Sequence, residues 1–198
     1  MRSGPVRPTA SGMEKIVATE KNVDRYSMAS IALHWVMLAL IVGAYAAIEL
    51  REVFPRGSDP RDAMKAWHFM LGLSVLGLVW LRLAARLIWP APKADVRVAP
   101  WRRVVAGTTH LALYVLMIGM PLAGWAILRA EGETVPFFGM ELPPLFGTNN
   151  ALAERVEEIH EIGGTIGYWL IGLHAAASLF HQLILRDRLI NRMLPIRY

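Results

Sequence analysis

The 198-residue sequence contains no cysteine, which excludes disulfides, thiolate zinc sites, iron–sulfur ligation and the C-x-x-C-H attachment of c-type haem. It also lacks a Gly-rich dinucleotide turn and any flavin motif, so the chain alone cannot oxidise an organic substrate by hydride chemistry. No internal repeat, low-complexity segment or pair of broken helices points to a solute transporter. The formal net charge is +5, yet no nucleic-acid-binding motif accompanies it. The first 25 residues have no apolar run and carry Pro5, Pro8, Lys15, Glu20, Lys21 and Asp24, unlike a cleaved signal or a membrane span. They read as a flexible tail over residues 1–25, ahead of one domain over 26–198.

What is present is apolar sequence: 55% of residues are hydrophobic and the mean hydropathy is +0.36. Four stretches match a hydrocarbon core of about 30 Å: Ala29–Ile48, Ala66–Leu81 continuing to Trp89, Val104–Leu128 and Ile159–Leu185. The expected fold is all-α, an integral membrane four-helix bundle. Arg82 and Arg86 lie one turn apart in the second stretch, where they mark its end and snorkel toward headgroups. Pro121 lies inside the third, where neighbouring helices tolerate a kink. Trp35, Trp67, Trp80, Trp89, Trp125 and Trp169 fall mostly near the expected interfaces, as belt or packing residues.

Cation asymmetry sets the expected orientation. Fifteen Lys and Arg lie in the tail, around the second connection and after the fourth span, against six in the other two connections. Those two connections also hold Glu131, Glu133, Glu141, Glu154, Glu157 and Glu158. Both termini are therefore expected on the cytoplasmic side of a bacterial inner membrane.

Four of the six histidines fall within or at the rims of the spans, at His34, His68, His160 and His174. His160 and His174 are fourteen residues apart, which puts them on nearly one helix face and about 21 Å apart. One histidine in an apolar helix is ordinarily a packing residue. Four that sort by depth into His34 with His174 and His68 with His160 form a ligand pattern. Imidazole is the usual nitrogen ligand of haem iron, and without cysteine any haem is b-type. On this topology His68 and His160 open the second and fourth helices at the outer rim. Depth alone leaves His181, seven residues beyond His174, or His110 as other partners for His34.

The segments Ile31-Ala-Leu-His34-Trp35, Phe54-Pro-Arg-Gly-Ser-Asp-Pro60, Trp67-His68-Phe-Met-Leu-Gly72 and His160-Glu-Ile-Gly-Gly-Thr-Ile-Gly-Tyr-Trp-Leu-Ile-Gly-Leu-His174 together resemble the bacterial cytochrome b-561 family of four-helix diheme membrane proteins. The likeness runs from about Tyr26 to the C-terminus; the stretch before it departs from the family pattern. The resemblance implies two haem b groups, one on His34 and His174 and the other on His68 and His160. It also implies ubiquinone as electron acceptor, met near the cytoplasmic rim by His181, with His110 as the alternative contact. Family members pass electrons from superoxide to ubiquinone, which makes superoxide the implied small-molecule substrate. The second function class is an electron-transfer subunit fed by a partner dehydrogenase or hydrogenase. Gly72, Gly163, Gly164 and Gly167 cluster after the outer ligands, where they admit either a porphyrin or a close helix. Arg51, Arg56, Arg61 and Lys65 on the outer side attract a small anion, although Glu49, Glu52, Asp59 and Asp62 lie among them.

Overall fold

The computed structural model describes residues 25–92, 99–143, 147–187 and 190–195; apart from Arg25, the tail expected over 1–25 lies outside them. Four helices dominate: α1 Met28–Leu50, α2 Asp59–Ile88, α3 Pro100–Glu131 and α4 Asn150–Phe180, the last running on through a π-helical turn at His181–Leu185. All four are long and apolar enough to cross a membrane. The chain is thus an all-α membrane bundle, as its hydropathy requires: in hydrocarbon, backbone groups find partners only within a helix or a closed barrel.

Local chemistry fixes the helix ends beyond the apolar runs. Ser27 accepts the Ser30 N–H at 3.2 Å at the start of α1, and Asn149 accepts the Leu152 N–H at 3.1 Å at the start of α4, satisfying donors that have no intrahelical partner. Proline occupies the first turns of α2 and α3, where its missing N–H costs nothing. Asp59 and Asp62 complement the dipole at the start of α2. Consequently α2 and α4 begin at Asp59 and Asn150, well before the expected Ala66 and Ile159, because polar turns were invisible to a search for apolar residues. Helix α3 runs through Pro121 unbroken and ends at Gly132, whose φ of 85° suits a residue without Cβ.

Helices α1 and α2, α2 and α3, and α3 and α4 pack backbone against backbone. The core is Met37, Val75 and Val79, flanked by Leu40, Ile41, Leu78, Tyr114, Met117 and Ile118. Helix α4 stands apart from it. Its buried residues are Ala153 and Gly167, while Ile166, Trp169 and Leu173 are more than half exposed, as suits a lipid-facing surface. Long side chains join α4 to α1: the Tyr45 hydroxyl donates to the Gly164 carbonyl at 2.9 Å and the Tyr168 hydroxyl to Glu49 at 2.7 Å. The two tyrosine rings lie 4.2 Å apart.

The two ends of the bundle differ. At one, the residues entering α1 meet those following α4. The Tyr26 N–H donates to the Arg192 carbonyl at 3.3 Å, the Trp35 indole N–H to Met193 at 2.7 Å, and the Arg25 guanidinium to the Leu194 carbonyl. Arg86 lies over the Tyr26 ring at 5.6 Å. This clasp end is opposed by a hairpin end, where β1 Val135–Phe137 pairs antiparallel with β2 Met140–Leu142. Phe138 and Gly139, with φ of 47° and 83°, form the two-residue turn, both in the left-handed region that such a hairpin demands. Phe138 packs edge-on to Trp67 at 6.3 Å. Nearby, Arg61 ties down the α1–α2 turn by donating to the Arg51 and Phe54 carbonyls at 3.1 and 3.0 Å and pairing with Glu52 at 2.8 Å.

Two stability predictions follow from these contacts. A Cβ on Gly167 would collide with the Tyr45 hydroxyl, whereas one on Gly172 of the same helix meets nothing within 4 Å. Gly167→Ala should therefore cost about 1–3 kcal/mol and Gly172→Ala far less, measured by thermal unfolding in detergent. Arg61→Ala removes the guanidinium from the Phe54 carbonyl and from the Arg51 carbonyl, which keeps the Phe54 N–H, and should cost about 1 kcal/mol, with Glu52→Ala closer to wild type because its carboxylate is exposed.

Candidate functional site

Helix α4 presents both of its histidines to the interior of the bundle, His160 ten residues after Asn150 and His174 fourteen further on. His68 lies nine residues after the start of α2. The expectation that His68 and His160 open their helices is therefore corrected: both sit within them, because the polar first turns of α2 and α4 extend past the apolar stretches.

Toward the hairpin end, the His68 and His160 rings face each other across the bundle with centroids 6.1 Å apart. His68 Nδ1 lies 2.9 Å from the Ala44 carbonyl. A carbonyl can only accept, so this nitrogen carries the proton and Nε2 keeps its lone pair for a metal. His160 Nδ1 is buried near the Met120 backbone without a well-formed hydrogen bond, and its ring rests against Gly124, where a Cβ would stand 3.5 Å from Cε1. Two imidazoles sharing one metal through bonds of about 2 Å each place their ring centres roughly 6 Å apart. The observed separation fits one iron between these rings.

The glycines expected nearby divide into two kinds. Met120 Sδ fills the space a Cβ of Gly163 would need, and the Tyr45 hydroxyl fills that at Gly167, so these two serve helix packing. Gly72, one turn beyond His68, has nothing within 4 Å of its Cβ position and leaves room on the ring's side of α2.

Toward the clasp end the His110 and His174 rings lie 5.4 Å apart, and His34 stands at the same end on α1, next to the Trp35 that donates to Met193. Among the described residues no group of three or more His, Asp or Glu is arranged to hold a bare metal ion. Imidazole pairs are instead what a porphyrin needs, since it supplies four equatorial nitrogens itself. His181 is placed elsewhere: its Nδ1 meets the Asp187 carboxylate at the π-helical turn. Arg82 also belongs to this end. It was expected to snorkel with Arg86, but its Nε instead donates to the Tyr114 hydroxyl at 3.3 Å. Charge and periodicity gave no sign of that inward turn, since the Tyr114 partner is on another helix.

At the hairpin end the four expected cations are not equivalent. Arg51 and Arg61 both pair with Glu52. Lys65 lies over the Phe69 ring at 5.7 Å and, with Asp62, Glu133 and Thr134, lines a cavity of about 180 Å³ between α2 and the hairpin. Arg56 is exposed.

Comparison with known proteins gives the family. The family model described as prokaryotic cytochrome b561 matches residues 25–195. The chain is 34% identical over 179 residues to "Cytochrome b561 homolog 1" of Escherichia coli (strain K12), covering 88% of this chain and 99% of that protein. It is 34% identical over 171 residues to "Probable superoxide oxidase CybB" of Yersinia pestis, covering 86% and 96%. A "Cytochrome b562" of Cereibacter sphaeroides is 28% identical over 176 residues, covering 87% and 96%.

Proposed function

The chain belongs to the prokaryotic cytochrome b561 family, and from that premise we propose that it is a membrane oxidoreductase that converts superoxide to dioxygen and reduces ubiquinone. The observation that carries this reading is the facing His68–His160 pair, 6.1 Å apart with the His68 tautomer set by Ala44. His68 and His160 would hold one haem b, and His34 and His174 the other, with His110 packed beside His174. When bound, the two haems supply one-electron carriers at two depths of the bilayer. The name of the Yersinia pestis relative supports superoxide as donor.

The excess of Lys and Arg toward the clasp end supports a cytoplasmic position for that end in a bacterial inner membrane. Superoxide then arrives at the hairpin end. Because Arg51 and Arg61 are committed to Glu52, attraction of the anion falls mainly to Arg56 and Lys65. Each superoxide gives up one electron on becoming dioxygen, so two are consumed for each ubiquinone reduced with two protons. At the clasp end His181 is the residue that meets the quinone. With Nδ1–H donating to the Asp187 carboxylate, the doubly protonated ring would present its Nε2–H to a quinone oxygen and pass it that proton, the carboxylate holding the ring in place.

Haem content tests the ligand assignment. The pyridine haemochrome of the purified protein should give two low-spin b haems per chain. His68→Ala and His160→Ala should each remove the same haem, and His34→Ala and His174→Ala the other, while His110→Ala retains both. Loss of a haem in His110→Ala, with His34→Ala or His174→Ala sparing it, would reassign the second pair.

Stopped-flow kinetics tests the donor and acceptor. Haem reduction by superoxide should slow as ionic strength rises, because attraction between exposed charges is screened. Arg56→Glu with Lys65→Glu should slow it further and flatten the salt dependence. His181→Ala should leave both haem spectra and their reduction intact while slowing reoxidation by ubiquinone at least tenfold, within the usual range for a lost proton donor. Failure of superoxide to reduce the haems at any salt, together with reduction by a co-purifying dehydrogenase, would make the chain an electron-transfer subunit of a larger complex.

A further inference from the structure

Arg82 is a cation whose structural surroundings do not account for it. It lies six residues before the end of α2, yet its side chain is turned into the bundle, where Nε donates to the Tyr114 hydroxyl and Nη1 is buried with no partner. Among the described residues the ion pairs are those of Arg51 and Arg61 with Glu52 and of His181 with Asp187, and none involves Arg82. Its neighbour Arg86, one turn on, settles over the Tyr26 ring at the clasp. A guanidinium stays charged at any accessible pH. Half-buried in a membrane-spanning helix with Nη1 closed off and unpartnered, it gains from an anion that meets it. A hydroxyl is not such an anion; a bound anionic group would supply the counter-charge.

The place of Arg82 indicates which group. Tyr114, which orients it, lies one turn from His110 on α3, and His110 packs on His174. We propose that Arg82 binds a propionate carboxylate of the haem held at the His34–His174 end, an inference that rests on the diheme reading above. The two propionates are the only anionic groups of haem b, and a guanidinium fork matches a carboxylate. With no cysteine in the chain, the group has no covalent tether. Its charged edge and its axial bonds are then its strongest attachments, and Arg82 supplies one of them from the same part of the bundle as the ligands.

The test uses holoprotein carrying Arg82→Gln, Arg82→Lys or Tyr114→Phe. In Arg82→Gln the haem at the clasp end should keep its low-spin spectrum but titrate at a lower potential, since a nearby positive charge favours the reduced iron; the other haem should not move. The propionate bending band in resonance Raman spectra should shift, and transfer of that haem to apomyoglobin should accelerate roughly tenfold or more, the loss expected for one charge-assisted hydrogen bond. Arg82→Lys keeps the charge and should stay near the wild-type potential while still altering the Raman band. Tyr114→Phe should act in the same direction as Arg82→Gln but less, and keeps the question open to measurement if the glutamine variant does not accumulate. All of this should hold in detergent free of anionic phospholipid. Potentials and a propionate band unmoved in Arg82→Gln would overturn the assignment, as would changes that appear only on adding anionic phospholipid, which would give Arg82 to a lipid phosphate. A wild-type chain with a single haem would sink the diheme reading and this site with it. Two haems with an unmoved Arg82→Gln would sink this site alone.

Discussion

The constraint on which the rest depends is that α4 must face α1 and α2 across a gap. A helix carrying two histidines fourteen residues apart on one face can use them on a planar group only if the opposing backbones stand back far enough to admit it. The packing is arranged accordingly. Helix α3 takes α4 backbone to backbone, with Gly124 against the His160 ring and Met120 over Gly163. On the α1 side the approach is made by tyrosines reaching from Tyr45 and Tyr168. The core of Met37, Val75 and Val79 is displaced toward α1, α2 and α3, leaving α4 to close the bundle by side chains.

Within that frame, polar groups in apolar surroundings locate the chemistry. In hydrocarbon an unsatisfied donor or charge is expensive, so each one invites a reason. The His68 ring spends one nitrogen on the Ala44 carbonyl, which leaves the other for a metal. Arg61 spends its guanidinium on two carbonyls and Glu52 at the end of α1, which makes it part of the scaffold. Arg82, half satisfied by Tyr114, stands between those cases.

The sequence disclosed some of this and not the rest, for reasons that differ by element. The four spans and the all-α class were legible because a bilayer of about 30 Å demands long apolar runs. The starts of α2 and α4 were not, since Asp59–Lys65 and the residues after Asn149 are helical through caps and dipole contacts that hydropathy does not register. The hairpin was missed because three-residue strands leave almost no periodic trace; Phe138-Gly139 was its one available signal. Depth along α4 could be counted, so His160 and His174 could be assigned to opposite ends of the bundle, and His68 grouped with His160, before any coordinates. Lateral position could not. Periodicity on one helix says nothing about which face its neighbour turns, and so the close approach of His110 to His174 emerged only from the packing. The pairing of Arg51 and Arg61 with Glu52 was likewise unreadable, because which arginines are already paired is a tertiary fact.

The clasp joining the approach to α1 with residues 192–194 has a mechanical consequence. The segments entering and leaving the bundle lie side by side, so tension applied through both would not peel α1 or α4 away one hydrogen bond at a time. It would first have to part the Tyr26, Trp35 and Arg25 contacts, after which the hydrogen bonds joining α1 to α4 among the described residues are the tyrosine bridges far up the helices. Extraction from a bilayer by force should thus show an early rupture at the clasp followed by a long, weakly resisted separation, a signature set by connectivity and not by the strength of the apolar core.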